Sequence, residues 1–343
     1  MVGLAQQLIT NQAGYDEDFL DDAQGMFPDE AGWAPTTGSC GKYLYSANNW
    51  QPVLADHTTF YAPDADQELM QLALNEIADY LPVGTPYIDF GAGGIASFKR
   101  YALPAIQKIG SKKYTGVDFC EAILSDIMTL SGELSSDVSI NTALLDLFLP
   151  TTRNLSPDQP ALGVMNGLTI GNMRNVRSVD AIRNHLTSTL QYLSRLAGNG
   201  WLLVSMDSNQ DKKYVEQAYN IPPVAGLIRN MMWRIAKELP CEGFDPSAFS
   251  YAPHYDATLN RLEHLLVSEK EQEFILGDRI VNLKSGQEIH LVSSYKYSEH
   301  FFEQCCASAR LSVTRRWHHQ SGVLLYLLTD SKLASRQELQ VAV

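Results

Sequence analysis

Five short apolar runs constrain this chain more than any other feature. They span residues 86–90, 114–118, 140–145, 162–166 and 201–205, and helix-like stretches alternate with them. Strands separated by helices cannot be joined by tight hairpins, so they pair in parallel. The expected fold class is therefore α/β, a doubly wound sheet with helices on its faces. Residues 66–81 carry apolar side chains at helical spacing. A helix from about residue 95 is disturbed by Pro104, and residues 120–130 and 179–196 read as further helices. In such sheets the ligand lies beyond the carboxyl ends of the strands. Asp89, Asp118 and Asp146 fall at or near three of those ends, and Asp207 follows the fifth strand. A lone acid there commonly caps the next helix, which is the preferred reading of Asp207. Coordinated acids on three strands point instead to a ligand.

The first strand runs into glycines, as Tyr87-Ile-Asp-Phe-Gly-Ala-Gly-Gly94. A strand that ends in a glycine-rich turn builds a nucleotide-cofactor pocket, with Gly91 and Gly93 at the turn. Asp89 selects among cofactors by charge. Its carboxylate repels a pyrophosphate and attracts an ammonium and a sulfonium, so S-adenosylmethionine (SAM) is expected rather than NAD. Gly91-Ala-Gly-Gly-Ile-Ala96 also meets the relaxed dinucleotide pattern, which keeps an oxidoreductase open as an alternative. Asp118 stands 27 residues after Gly91, where a carboxylate accepts the hydroxyls of an adenosine ribose. Asp146 is placed to accept from the adenine amine, with Leu147 beside the ring. Residues 311–328 read as a hairpin turning at Gln320-Ser-Gly322. An antiparallel hairpin closing a mostly parallel sheet is the usual end of a Rossmann-like class I SAM methyltransferase.

Composition narrows the partners. The 39 acidic residues outnumber the 26 basic ones, for a net charge of −13. An acidic chain gains nothing from counterion release, so no nucleic acid is expected as a partner. No apolar run is long enough for a membrane, and the first residues do not look like a signal peptide. Cys40, Cys120, Cys241, Cys305 and Cys306 are odd in number and contain no C-x-x-C, so a reducing, cytoplasmic setting is expected. His300, His318 and His319 lie near Cys305 and Cys306 without a metal-ligand spacing, so no metal is expected. Residues 1–40, polar and acidic, read as a loosely structured arm. Nothing in the sequence specifies an oligomeric state.

Asn166-Gly-Leu-Thr-Ile-Gly-Asn172 resembles the G-S-T-I-G-N loop of the histidine-specific SAM-dependent α-N-methyltransferases of ergothioneine biosynthesis. Fungal relatives in that family methylate a prenylated tryptophan. The resemblance runs from about residue 43 to 329 and is strongest at 86–94, 166–172, 219–266 and 286–297. It implies a SAM domain over 63–208 and 293–335, and a smaller α+β substrate lobe over 1–62 and 209–292. It places the cofactor contacts on Asp89, Gly91, Asp118 and Asp146. It also implies that Asn172 and Tyr219 hold the amino-acid head group and serve catalysis. Gly167 belongs to the same loop, and Tyr43 or Tyr45, together with Tyr61, stand for pocket tyrosines of the N-terminal segment.

The departures from the family concern the substrate. In the histidine enzymes a glutamate and, two residues later, a serine meet the imidazole. Here the serine persists as Ser294, whereas Val292 stands at the glutamate position. His264 replaces a pocket methionine, and Leu168 replaces the loop serine. An imidazole N–H without its acceptor costs about 1–3 kcal/mol. The expected activity is thus N-methylation of a small amine or amino acid other than histidine, in specialised metabolism. O-methylation of a small molecule and a non-catalytic, SAM-binding regulatory role are the alternatives.

Overall fold

The computed structural model describes residues 16–28, 40–44, 60–132, 137–151, 155 and 157–334. The chain forms two compact units: a smaller one of Met1–Tyr45, Arg174–Arg177 and Asp211–Ser294, and a larger one of Ser46–Met173, Ser178–Gln210 and Tyr295–Val343. In chain order the larger unit opens with strands β1 (Tyr87–Phe90), β2 (Lys113–Asp118), β3 (Ser139–Leu144), β4 (Leu162–Met165) and β5 (Trp201–Asp207). The smaller unit carries β6 (Cys241–Glu242), β7 (Phe249–Asp256), β8 (Arg261–Ser268), β9 (Gln272–Leu276), β10 (Arg279–Leu283) and β11 (Glu288–Tyr295), which ends at the unit boundary. The larger unit resumes with β12 (Leu311–His318) and β13 (Val323–Asp330).

The larger unit is a seven-stranded sheet in the order β12-β13-β5-β4-β1-β2-β3. β3, β2, β1, β4 and β5 pair in parallel; β13 and β12 close the sheet antiparallel. This is the Rossmann-like class I arrangement anticipated from the strand pattern, with its antiparallel C-terminal hairpin. β1, β4, β5 and β13 are buried along their whole length, as strands covered on both faces must be. β3, at the sheet edge, is only partly covered. Chain order reverses between β1 and β4, so a crevice opens at their carboxyl ends.

Helix Val179–Leu196 begins and ends where its spacing predicts, capped by Ser178, which accepts from the Ala181 amide. The helix expected over residues 66–81 is Ala62–Glu76, followed by a short 3-10 turn, Ile77–Asp79. The helix carrying Pro104 is irregular as expected. Gly94–Ser97 leads into a π-helical turn, Phe98–Ala102, and Pro104 then occupies the first turn of Leu103–Ile109. The backbone stays helical through this junction, so the proline removes one bond from a continuous helix, and the π-helical turn before it takes up the irregularity. Glu299–Ser308 is a helix that interrupts the strand-like region after residue 297.

The smaller unit holds two three-stranded sheets, β10-β9-β6 and β11-β8-β7. Pro222 and Pro223 start a second helix, Pro222–Glu238, after helix Lys212–Tyr219. Residues 16–28 correct the reading of a loose N-terminal arm. They include helix Glu17–Met26, whose Phe19, Ala23 and Met26 are buried at i, i+4 and i+7. Arg279 ties its end to β10 by donating to the carbonyls of Gln24, Phe27 and Pro28.

Candidate active site

The acids of the larger unit sit on neighbouring strands. Asp89 in β1 pairs across to Gly116 in β2, and Asp118 ends β2. Gly116 leaves room for the Tyr114 hydroxyl; a Cβ there would lie 3.3 Å from it. That hydroxyl donates to Asp89 Oδ2 at 3.1 Å. Burial pushes the Asp89 carboxyl up to about 7; the Tyr114 bond opposes this and the Asp118 charge adds to it. Burial also raises Asp118, whose oxygens accept from the amides of Gly93 at 3.2 Å and Cys120 at 3.0 Å. Each carboxylate oxygen has further lone pairs, so acceptor capacity remains for a sugar hydroxyl. Asp146 holds the Phe148 amide at 2.9 Å, and Leu147 beside it is buried.

Gly91 and Gly93 take left-handed φ values of 77° and 64°, which L side chains rarely adopt. The Gly91 turn faces the next loop, since a Cβ at Gly91 would meet Thr169 at 3.6 Å. The residues thus form a glycine-lined cradle against a pair of buried acids. Two buried carboxylates within Coulomb reach of each other favour a cationic occupant. The donor set fits SAM, an adenosine bearing a sulfonium.

Residues 166–172 are held at several points. Gly167 N donates to Asp66 at 2.9 Å, and Leu168 N to Ser205 Oγ at 3.1 Å. Tyr297 donates to the Ile170 carbonyl at 3.3 Å. Gly171 packs so closely that a Cβ would fall 2.9 Å from the Tyr295 carbonyl. Leu168 has φ 56°, a strained value for a leucine, and the loop chain accepts it. Asn172 ends this loop, its amide on the Thr169 carbonyl at 2.9 Å.

Asp207 is not a helix cap; Asp211 caps Lys212–Tyr219 by accepting from Tyr214 N. Asp207 instead ends β5 as the centre of a buried cluster. Its Oδ2 accepts from Lys296 Nζ at 2.6 Å and from the Tyr61 hydroxyl at 2.5 Å, and its Oδ1 from Asn209 N at 2.9 Å. The pocket tyrosine of the sequence reading is therefore bonded to an acid not counted as part of the site. Lys296 went unnoticed; a lysine between Tyr295 and Tyr297, in a run buried on both faces, was the available signal.

In the smaller unit His264, Ser294, Tyr251 and Tyr219 come together. His264 lies on β8 and Ser294 on the neighbouring β11. Its Nε2 is 3.1 Å from Ser294 Oγ and its Nδ1 is 2.8 Å from the Tyr251 hydroxyl. Tyr219 meets the imidazole edge-on at 5.7 Å, and Tyr251 stacks on it at 5.9 Å. Burial raises the Tyr251 hydroxyl well above its ordinary pKa. Val292 and Ser294 are two apart on β11 and so share a face. Tyr251 was missed because only the β7–β8 pairing brings it beside His264. Tyr45 lies outside the described residues.

Comparison with known proteins accounts for both units. The y4iF protein of Sinorhizobium fredii, itself uncharacterized, is 28% identical over 260 residues, 72% of this chain and 84% of its own length. The N-methyltransferase imqF of Aspergillus flavus is 22% identical over 269 residues, 77% of this chain and 72% of its own. Among solved structures, the CcbJ methyltransferase of Streptomyces caelestis aligns with a TM-score of 0.43 at 13% identity, over 84% of this chain and 100% of its own. The family described as histidine-specific, SAM-dependent methyltransferase matches residues 42–330. With well over half of the chain matched and the glycine cradle and acids in place, this protein belongs to that family of SAM-dependent methyltransferases.

Proposed function

We propose that the protein N-methylates the amino group of a small amine or amino acid other than histidine. One observation carries the choice of acceptor. Ser294, at the position where the family's serine meets a substrate imidazole, is bonded to the protein's own imidazole, His264. Val292, two residues before it, offers no carboxylate. A histidine side chain entering here would find its hydroxyl engaged and its acceptor gone, and sites built on hydrogen bonds discriminate strongly against such mismatches. An aromatic or aliphatic side chain suits the valine and the faces of Tyr219 and Tyr251.

SAM, when bound, supplies an electrophilic methyl on a sulfonium. In the proposal Asp89, Gly91, Gly93, Asp118, Asp146 and Leu147 hold it. By the family resemblance, acceptor roles fall to Tyr61, Gly167 and Asn172 in the larger unit and, separately, to Tyr219 and His264 in the smaller. An α-amine has a pKa of about 8, so a neutral fraction exists at physiological pH. Its nitrogen lone pair forms the new N–C bond, the electrons of the S–C bond stay on sulfur, and a proton leaves to water. Orientation supplies much of the rate in such an in-line transfer.

Incubation with SAM and a panel of α-amino acids and their decarboxylated amines tests the reading by mass spectrometry. Methylated products from aromatic or aliphatic members, with none from histidine, are expected; preference for histidine would overturn it. Asn172→Ala and Tyr219→Phe are each expected to lower kcat/KM for the best amine about ten- to a hundredfold, the worth of a charge-assisted hydrogen bond. SAM affinity should stay unchanged. Full activity in both variants would remove them from the site.

A further inference from the structure

Asp66 is 1% exposed. It lies on helix Ala62–Glu76, among the buried Ala65, Leu69 and Met70. That helix has no side-chain cap, so a capping role does not account for the acid. A carboxylate on a buried helix face is costly unless it is bonded. Its partner lies 101 positions away: Oδ2 accepts from the Gly167 amide at 2.9 Å. The next amide, of Leu168, donates to Ser205 Oγ at 3.1 Å. Gly167 and Leu168 both take left-handed φ values, 68° and 56°. Backbone N–H groups in such tight turns attract an anion, and here the Asp66 carboxylate is that anion. An asparagine at a turn commonly props it through its own side chain. Asn166 does not, since neither its Oδ1 nor its Nδ2 has a hydrogen-bond partner among the described residues. Thr169 Oγ1 closes the turn locally on the Asn166 carbonyl, while the two left-handed amides are held from outside, by a helix and a strand. Burial raises the Asp66 carboxyl; the Gly167 amide, the Ser205 and Tyr101 hydroxyls and the Arg100 charge work against it, in favour of the ionised form.

Resting on the reading above, we propose that Asp66 is a positioning residue for methyl transfer: its carboxylate holds the Gly167–Leu168 turn and so sets the Asn172 that ends the loop. A leucine in the left-handed region stores strain, and the turn relaxes once its first amide loses its acceptor. The change reaches Asn172 through hydrogen-bonded backbone. Gly171 N donates to the Leu168 carbonyl at 2.9 Å, and Asn172 N to the Thr169 carbonyl at 2.9 Å. Thr169 also faces the Gly91 turn, so the same anchor sets the loop against the cofactor cradle. A displacement of about 1 Å at a group that orients a nucleophile can cost about a hundredfold in rate. In this role Asp66 acts through the Gly167 amide rather than on the reacting atoms.

Asp66→Ala removes the anchor, Asp66→Asn keeps an acceptor without the charge, and Asn172→Ala is the reference for the loop. The values of kcat and KM are measured with the best amine of the panel at saturating SAM. Asp66→Ala is expected to lose about ten- to a hundredfold in kcat. Asp66→Asn should restore all but about fivefold, the difference between a charge-assisted bond and a neutral one. In the Asn172→Ala background the Asp66→Ala loss should shrink to about twofold, because residues that act as a unit are not additive. A merely structural acid would lose the same factor in both backgrounds. That result overturns the proposal, as does a kcat for Asp66→Ala within about twofold of wild type. Hydrogen exchange of peptides covering 166–172 needs no methyl acceptor. It should quicken about fivefold in Asp66→Asn, and unchanged exchange there overturns the proposal even if the alanine variant does not fold. Failure of wild type to methylate any amine defeats the proposed function instead. The exchange result does not depend on turnover, so the two failures are read separately.

Discussion

Asp89→Asn is expected to weaken SAM binding about ten- to a hundredfold and to erase its dependence on pH. The side chain is buried, and its carboxyl titrates near 7 in the free protein, mainly through desolvation. Only the ionised form attracts a sulfonium. Below pH 7 binding must therefore expel a proton, and the dissociation constant should fall by up to about tenfold per pH unit, then level off above 7. An asparagine cannot ionise, so the slope disappears along with a charge-assisted contact. Calorimetry at pH 6, 7 and 8, in buffers of different ionisation enthalpy, measures both affinity and proton release. A wild-type affinity that is flat across this range would show that Asp89 is not the cofactor's charged partner.

The same group sets a stability trend of opposite sign. A carboxyl raised from its ordinary 3.8 to about 7 is protonated in the folded chain and ionised in the unfolded one between those values. Its contribution is most favourable below about 4, declines as pH rises to about 7, and is constant beyond. The span corresponds to about 4 kcal/mol at most. The ligand-free asparagine variant should therefore be more stable than wild type at pH 8, and no more stable at pH 4. Urea titration at both values checks this.

Lys296→Met is expected to cost the larger unit about 3–5 kcal/mol. The ammonium lies 2.6 Å from Asp207, and both side chains are 1% exposed. Removing it leaves a buried carboxylate supported, among the described residues, by the Tyr61 hydroxyl and the Asn209 amide. An isolated buried charge is what makes such a break severe; replacing both partners should be far milder. Lys296→Met with Asp207→Asn should accordingly recover most of the loss in a urea titration. A single-variant loss below about 1 kcal/mol would mean that solvent reaches the pair. Tyr61→Phe leaves the ion pair intact and should cost about 1 kcal/mol, the usual net worth of one hydrogen bond.

Much of the fold was legible because its signals are local. Parallel strands buried on both faces are mostly apolar, so β1, β4 and β5 announce themselves despite the acids in β1 and β5. The glycines at 91 and 93 mark a backbone that only glycine enters freely. Helix Glu17–Met26 was harder: its apolar spacing is present, but acidic and polar neighbours masked it until Arg279 and β10 covered its end. Asp207 was misread for a related reason. An acid after a strand looks the same in sequence whether it caps a helix or holds a lysine 89 positions away.

The class of fold, the cationic character of the cofactor and the valine at position 292 were thus written into short runs of residues, where strand burial, glycine conformation and side-chain identity act within a few positions. The charge state of Asp89, the Asp207–Lys296 pair, the His264–Ser294 contact and the unpaired Asn166 amide came only with folding. Each depends on burial or on partners from distant strands, and desolvation belongs to an assembled interior rather than to any stretch of chain.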